Sequence, residues 1–361
     1  MDGIKIYDSS RCSSCYFRTG PKSGQRKALL QITEKCNLRC EHCFVSSTET
    51  GNLIGYEDIL DKVIPQFVDN SIAKVTITGG EPLIHPKLYE IVKLMTTNGI
   101  SVGICTNATL ITDAICELFS TLNNVHFNAS LDGFSEMSHG RFRGSISSNI
   151  FKRTITGLNL LSDYKLLQGI LCTPNIFTPL EEYAEICNYA REKHARYVLF
   201  NPLSEFGRGE NNIELAYSAD LMEELKALTL KYISTSFEVV YIRFPNTNRL
   251  PLCKCAAGDI TYIFTNGDVA ICPYMAFSSK DRISQYNYDS FIIGNIFERS
   301  FDYNDAIERY SFPVSYNDVC KSCSNRECMK GCFAARIAKG LSLAAADEEL
   351  CPLNIKGSKS S

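Results

Sequence analysis

Six short apolar runs, each followed by an amphipathic stretch, constrain the fold of this chain more than any other feature. The runs cover residues 28–33, 74–78, 101–106, 125–131, 165–172 and 196–201. Each is rich in apolar and β-branched residues and is bounded by turn formers, which predicts strands. Between them, residues 56–70 place Ile59, Leu60, Val63, Ile64, Phe67 and Val68 at helical spacing. Residues 86–97, 112–121 and 180–193 repeat that pattern, and a further helix is predicted over 218–233. Strand–helix alternation implies an α/β fold with parallel strands and helices outside them. Right-handed crossovers would curl six such units into a partial (β/α)6 TIM-like barrel, open where a closed barrel has about two more strands. An open side can admit a large substrate. A doubly wound sheet is the structural alternative.

The rest of the chain divides around that barrel. Residues 1–27 form a polar N-terminal segment, the barrel is expected over 28–235, and the texture changes near residue 245. Beyond it come short strand-like runs at 260–265 and 269–272 and loops studded with cysteine, so residues 236–355 are expected to form a small metal-held domain. The tail, 356–361, is expected to be disordered. Nothing approaches the roughly 20 apolar residues of a membrane span. The first residues, MDGIKIYDSSRC, lack the layout of a signal peptide, so a cytoplasmic protein without a membrane partner is expected. A net charge of −3 leaves no basic excess for nucleic acid.

Seventeen cysteines in such a chain do not read as a disulfide framework, because the cytosol keeps thiols reduced. Clustered ones point to metal or catalysis, and scattered ones such as Cys116 and Cys187 to packing. The stretch ITEKCNLRCEHC sets Cys36, Cys40 and Cys43 just after the first strand, at the end where barrel enzymes keep their chemistry. Three thiolates suit an iron–sulfur cluster. Three ligands on a four-iron cluster leave one iron open to a small molecule, by the logic of catalytic zinc sites. A zinc site completed by His42 is the competing reading. After the second strand, Gly79 and Gly80 permit close backbone approach, and Glu81 can accept hydrogen bonds from an ammonium group.

The spacing CNLRCEHC resembles the signature of the radical S-adenosylmethionine (SAM) superfamily. That resemblance implies a [4Fe–4S] cluster on Cys36, Cys40 and Cys43, with SAM chelated to the open iron. One electron then cleaves SAM to methionine and a 5′-deoxyadenosyl radical that abstracts hydrogen. His42 takes the aromatic position that lies against the SAM adenine. Gly79-Gly80-Glu81 resembles the family's GGEP motif, which binds the SAM amino group. Asn107 resembles the asparagine closing the third strand, Ser130 the serine that reaches the ribose, and Arg143 the arginine that pairs with the SAM carboxylate. An electron donor such as flavodoxin or ferredoxin is implied as a partner.

The second cysteine group comprises Cys253, Cys255, Cys272, Cys320, Cys323, Cys328, Cys332 and Cys351. Eight thiolates would fill two four-iron clusters, although two zinc sites would also use them. The spacing is similar to that of the SPASM domain, which follows many radical SAM barrels and carries two auxiliary [4Fe–4S] clusters. One departure is visible: four residues separate Cys323 from Cys328, where the family has five. The resemblance implies one cluster on Cys253, Cys255, Cys272 and Cys332, and another on Cys320, Cys323, Cys328 and Cys351. Full ligation would suit them to electron transfer. Cys12 and Cys15 form a C-x2-C segment without an assigned role, and Cys105 and Cys172, which end strands, could face the cavity.

SPASM enzymes mostly modify peptides or proteins. With about 27 residues before the barrel, recognition of the substrate by the barrel, its loops or a separate partner is expected, without a leader-binding domain. In sulfatase-maturing enzymes an acidic base follows the cysteine matching Cys272; here Pro273 follows it, with Asp259 and Asp268 nearby. The expected function is therefore oxidative modification of a peptide or protein, of the thioether or carbon–carbon crosslinking type. Formylglycine formation and oxidation of a small molecule are the alternatives, a non-enzymatic metal-binding module is the less favoured reading, and the hydrogen-abstraction residue is not assigned.

Overall fold

The computed structural model describes residues 25–353, apart from 145, 147, 245, 247, 253–256, 259, 281–282, 310–317, 326–327, 329–331 and 346–350. Cys12, Cys15, Cys253, Cys255 and Asp259 thus lie outside the described residues.

The strands are β1 (Arg26–Thr33), β2 (Ile72–Gly79), β3 (Ser101–Thr106), β4 (Val125–Ser130), β5 (Leu167–Cys172), β6 (Tyr197–Phe200), β7 (Glu238–Tyr241), β8 (Ile260–Ile263), β9 (Asp268–Ala270) and β10 (Ile292–Asn295). They make one sheet in the order β10-β9-β8-β1-β2-β3-β4-β5-β6-β7. From β8 through β1 to β7 every neighbouring pair is parallel. β9 and β10 turn back antiparallel. The six expected strands are present, and two more extend the parallel run. β7 follows β6 at one edge. β8, read from sequence as part of the cysteine-rich region, pairs with β1 across 233 residues of chain (Lys27 with Ile260), so the sheet continues beyond residue 235.

The two faces of the sheet differ sharply. Ala28, Leu30 and Ile32 of β1, Val75 and Ile77 of β2, and Ile104 of β3 are buried in one core with Ile59, Val63, Phe67 and Ile91 from the helices. Residues of the opposite parity face the concave side: Thr76, Thr78, Cys105, Ser130, Leu171 and Leu199 are only half-buried. Period-two alternation on parallel strands thus separates a sealed apolar layer from an accessible, partly polar interior.

The helices expected from sequence periodicity are present, and Ile150–Asp163 is a further one. The first runs through Tyr56–Asp58, a wider turn at Ile59–Val63, and Ile64–Asp69. Leu88–Thr97 buries Leu88, Ile91, Val92 and Met95, the i, i+3, i+4, i+7 face. In Asp113–Ser120 the Thr112 hydroxyl caps the first turn by accepting from Ile115 N. Leu180–Glu192 and Ala219–Leu230 fall within a few residues of expectation. No described helix is long and apolar enough to cross a membrane.

Candidate functional site

The loop after β1 is anchored at each of its cysteines. Cys36 N donates to Thr48 O (2.7 Å) and Cys43 N to Cys40 O (3.3 Å). Arg208, in the loop after β6, clamps the same segment: its Nε donates to Cys40 O (2.8 Å) and its guanidinium to Ser47 O (2.7 Å). Gly207 beside it has φ +64°, and a Cβ there would fall 2.4 Å from Phe44 O. Cys36 and Cys40 are buried and Cys43 half-buried. Burial pushes the Cys36 thiol up to about 11 and Cys40 to about 12; the Cys43 thiol opposes ionisation of both, and Arg143 favours it. Thiols so placed need a cation to ionise, and a coordinated metal deprotonates its thiols outright.

The glycine pair packs directly on this loop. Gly80 N donates to Thr33 O and Glu81 N to Lys35 O, both at 2.8 Å. A Cβ on Gly79 would lie 2.2 Å from Thr33 O, and one on Gly80 2.0 Å from Lys35 O, so only glycine permits this approach. The Glu81 carboxylate is fully buried and accepts from Thr106 Oγ1 (2.7 Å), Asn107 N (2.7 Å) and Leu83 N (3.2 Å). Burial raises its pKa to about 7, against the pull of those three donors. Glu81 therefore ties the end of β2 to the end of β3. Asn107 extends the tie: its amide donates to Asn37 Oδ1 (3.0 Å), inside the cysteine loop, and its carbonyl oxygen accepts from Thr109.

Beyond β4, Asp132 is wholly buried and pairs with Arg143 Nε at 2.5 Å. Asp132 also accepts from Thr173 N (2.8 Å), and its own N donates to His139 Nδ1 (3.0 Å). Burial disfavours the Arg143 charge, but Asp132 beside it more than offsets this and raises the pKa. Arg143 Nη1 lies 4.0 Å from Cys40 Sγ. Ser130 ends β4 half-buried on the concave face. The His42 ring stacks on Phe142 at 4.0 Å, which covers one of its faces, and its buried Nδ1 has no hydrogen-bond partner in the structure. Burial, with the charges of Arg143 and Arg208, keeps this imidazole neutral.

Loops after β1, β2, β3 and β4 thus converge on one point. Sequence reasoning missed Asp132, Asn37 and Arg208 as parts of it. Asp132 stood in a turn-forming Leu-Asp-Gly run, and only its complete burial distinguishes it from a turn residue. Of the two strand-end cysteines, Cys105 lies on the concave face. Cys172 is instead sealed in the main core, in phase with Ile170. Cys116 and Cys187 are buried in that same core.

In the C-terminal region, Cys272 and Cys332 meet in one apolar cluster with Phe206, Phe277 and Phe333. Cys320 lies in the short helix Asp318–Ser322. Cys323 Sγ accepts from Asn325 N (3.4 Å), whose carbonyl accepts from Cys328 N. Cys351 O accepts from Arg249 (3.3 Å). Asp268 is engaged by Asn266, Tyr288 and Asn295.

Among the described residues, no group of three His, Cys, Asp or Glu side chains closes around a single metal ion. Cys36, Cys40 and Cys43 nevertheless share one cluster with Leu38 and Ile150. Three soft thiol donors beside a buried guanidinium fit a polynuclear iron–sulfur group that takes its ligands at separate corners.

Residues 30–192 match the radical SAM superfamily. The chain is 26% identical over 279 residues to the antilisterial bacteriocin subtilosin biosynthesis protein AlbA of Bacillus subtilis, covering 76% of this chain and 58% of AlbA. It therefore spans a little over half the length of that relative. It is 24% identical over 340 residues to the mycofactocin maturase MftC of Mycobacterium tuberculosis, covering 88% of this chain and 81% of MftC. In fold it is similar to Streptococcus suis SuiB, with a TM-score of 0.69 at 18% identity, covering 91% of this chain and 77% of SuiB.

Proposed function

We propose that this chain, whose residues 30–192 match the radical SAM superfamily, cleaves SAM reductively and oxidatively modifies a peptide or protein. The observation that carries the reading is the convergence of Cys36, Cys40 and Cys43 with Gly79-Gly80 and the Asp132–Arg143 pair. When bound, a [4Fe–4S] cluster and SAM supply one-electron cleavage of the sulfonium and an organic radical that takes hydrogen from the substrate. The protein supplies position and charge. Cys36, Cys40 and Cys43 hold three corners of the cluster. Arg143, kept charged by Asp132, meets the SAM carboxylate. The Gly79-Gly80 turn, braced by Glu81 and Asn107, receives the amino group, while the free face of His42 lies against the adenine and Ser130 reaches the ribose.

The cysteine-rich region is proposed to hold two auxiliary [4Fe–4S] clusters, with Cys272 and Cys332 in one and Cys320, Cys323, Cys328 and Cys351 in the other. Cys253 and Cys255 complete the first. Bound there, the clusters would supply one-electron acceptors for oxidation of a substrate radical. Flavodoxin or ferredoxin is the proposed donor to the catalytic cluster. A peptide substrate is favoured by the relatives: AlbA serves bacteriocin biosynthesis, MftC is a maturase, and SuiB has been solved with its precursor peptide SuiA. A thioether or carbon–carbon crosslink is the proposed product class.

The test is an anaerobic iron and sulfide count with a dithionite assay for 5′-deoxyadenosine, on wild type and on a Cys36/Cys40/Cys43→Ala variant. About twelve irons in the wild type, about eight in the variant, and deoxyadenosine from the wild type alone are expected. About four irons with bound zinc would overturn the auxiliary clusters. No deoxyadenosine from fully loaded wild type would overturn SAM cleavage.

A further inference from the structure

Along β1, Ala28 and Leu30 are sealed in the main core, so Lys27 and Leu29 belong to the concave face. Lys27 is only 8% exposed, and among the described residues it has no hydrogen bond and no ion pair. On the same face, Cys105 of β3 and His126 of β4 are half-buried, so solvent reaches both. Lys27 and His126 approach one another over β3. Gly103 of β3 is in register with His126, and a Cβ there would lie 2.8 Å from His126 Nε2. The imidazole is therefore laid over β3, in the room the glycine leaves. From the other side, Lys27 favours ionisation of Cys105, the next β3 residue on that face. Burial lowers His126 to about 4, and Lys27 is the first of the charges that add to the fall, ahead of Lys74 and Arg196.

The balance of charge here is one-sided. Burial lowers the Lys27 pKa to about 8, with Cys105 opposing the fall and Lys74, in register on β2, adding to it. The amine is still mostly an ammonium at pH 7. The groups that act on it are Cys105 and Lys74, so no carboxylate balances it. Cys105, which burial raises to about 11, is a neutral thiol and supplies no counter-charge. The neutral His126 ring keeps one N–H to donate, and it has no hydrogen-bond partner among the described residues. A buried ammonium without an anion is costly. One ammonium beside one N–H complements a singly charged group with two acceptor oxygens, which is a carboxylate.

We infer that Lys27 and His126 form a specificity-determining pair that binds a carboxylate of the substrate inside the barrel, the Lys27 ammonium donating to one oxygen and the His126 ring N–H to the other. The cysteine loop and Gly79-Gly80 lie at the C-terminal ends of β1 and β2, whereas Lys27 and His126 are each the second residue of their strands. The carboxylate is thus held deeper than the chemistry, with the rest of the substrate directed toward the cysteine loop. The inference rests on the reading of this interior as the substrate chamber and deepens it, because it names a carboxylate-bearing substrate.

The probe is acetate, with acetamide as its uncharged control and inorganic phosphate as a competing anion. Saturation-transfer difference NMR would be recorded on anaerobic, reconstituted holoenzyme of wild type, Lys27→Met and His126→Phe, with SAM in excess so that Arg143 is occupied. The expected result is a saturable acetate signal in the wild type, about fivefold weaker in each variant, and no saturable acetamide signal. The thermal midpoint of Lys27→Met should equal or exceed that of the wild type, because the substitution removes an unpaired buried charge. An acetate signal in either variant equal to that of the wild type would overturn the pair, as would tighter binding of acetamide or phosphate than of acetate. A lowered midpoint in Lys27→Met would make Lys27 a structural residue and overturn it too. Deoxyadenosine is assayed on the same samples and no peptide is used, so failure of SAM cleavage or of peptide modification is read separately from failure to bind acetate.

Discussion

At Asp132 one carboxylate, wholly buried, receives Arg143 Nε and Thr173 N while its own backbone N donates to His139. Because His139 Nδ1 is the acceptor, its proton sits on Nε2, which faces Thr154 Oγ1 at 3.3 Å. Burial lowers this imidazole to about 3, so it stays neutral. Asp132→Asn would leave a guanidinium that is 11% exposed without its counter-charge, at a cost of about 3–5 kcal/mol. The expected result is a loss of that size in urea melts of the metal-free protein. Most of it should be recovered when Arg143→Met is added, since the two effects are coupled. Glu81 carries a pH dependence of known sign. Its folded pKa of about 7 lies above the ordinary 4.5. The folded state therefore binds the proton more tightly, and the stability this gives below pH 4.5 is lost as pH rises through 7. Metal-free wild type should lose up to about 3 kcal/mol relative to Glu81→Gln between pH 4 and pH 8. A difference independent of pH would show that folding leaves the Glu81 pKa unchanged.

At the scale of elements, a steric argument separates the glycine turn from an ordinary one. Gly80→Ala would set a Cβ against Lys35 O, backbone that cannot swing aside, and so push the β2 turn off the cysteine loop. The expected loss is about four irons, with the C-terminal complement retained. Gly99→Ala, at φ +78° with nothing within 4 Å, strains the backbone without touching the site and should keep its iron. The strands were legible because apolar runs between turn formers are local signals. The helix Ile150–Asp163 was not read from the sequence. Its Ile150, Thr154, Ile155 and Thr156 are β-branched, and Gly157 stands mid-helix. The structure supplies the reason for that glycine: a Cβ there would lie 2.2 Å from Ala108 O, so close packing on the loop after β3 decides the residue. Motif spacing singled out Cys36 and Gly79 in the sequence, and resemblance alone singled out Arg143. Their braces were not singled out: complete burial sets Asp132 apart and hydrogen bonds to Asn107 and Thr109 set Asn37 apart, and both arise only in the fold.

Across the whole molecule, the pairing of β8 with β1 brings the C-terminal region beside the cysteine loop, a contact no local signal announces. Phe44, directly after Cys43, meets Phe277 edge-on at 5.3 Å, Tyr274 at 6.0 Å and Phe206 at 6.2 Å. Phe277 and Tyr274 belong to the helix Pro273–Ser278, which Cys272 caps. One aromatic cluster therefore lies against both cysteine groups, and the order of each depends on the other. Phe277 is buried and also meets Tyr262 and Phe264, so Phe277→Ala removes a ring from the centre of this cluster. A cost of about 3–5 kcal/mol follows from the lost burial and the cavity left behind. Because the cluster is shared, amide exchange should accelerate together in residues 36–48 and 273–278, while the helix Leu180–Glu192 across the sheet keeps its protection. Phe277→Leu, which refills most of the volume, should restore both segments in step. Acceleration confined to 273–278 would mean that the two cysteine regions fold as independent units that merely touch. Coupled acceleration would mean that the cysteine loop takes part of its order from the C-terminal region.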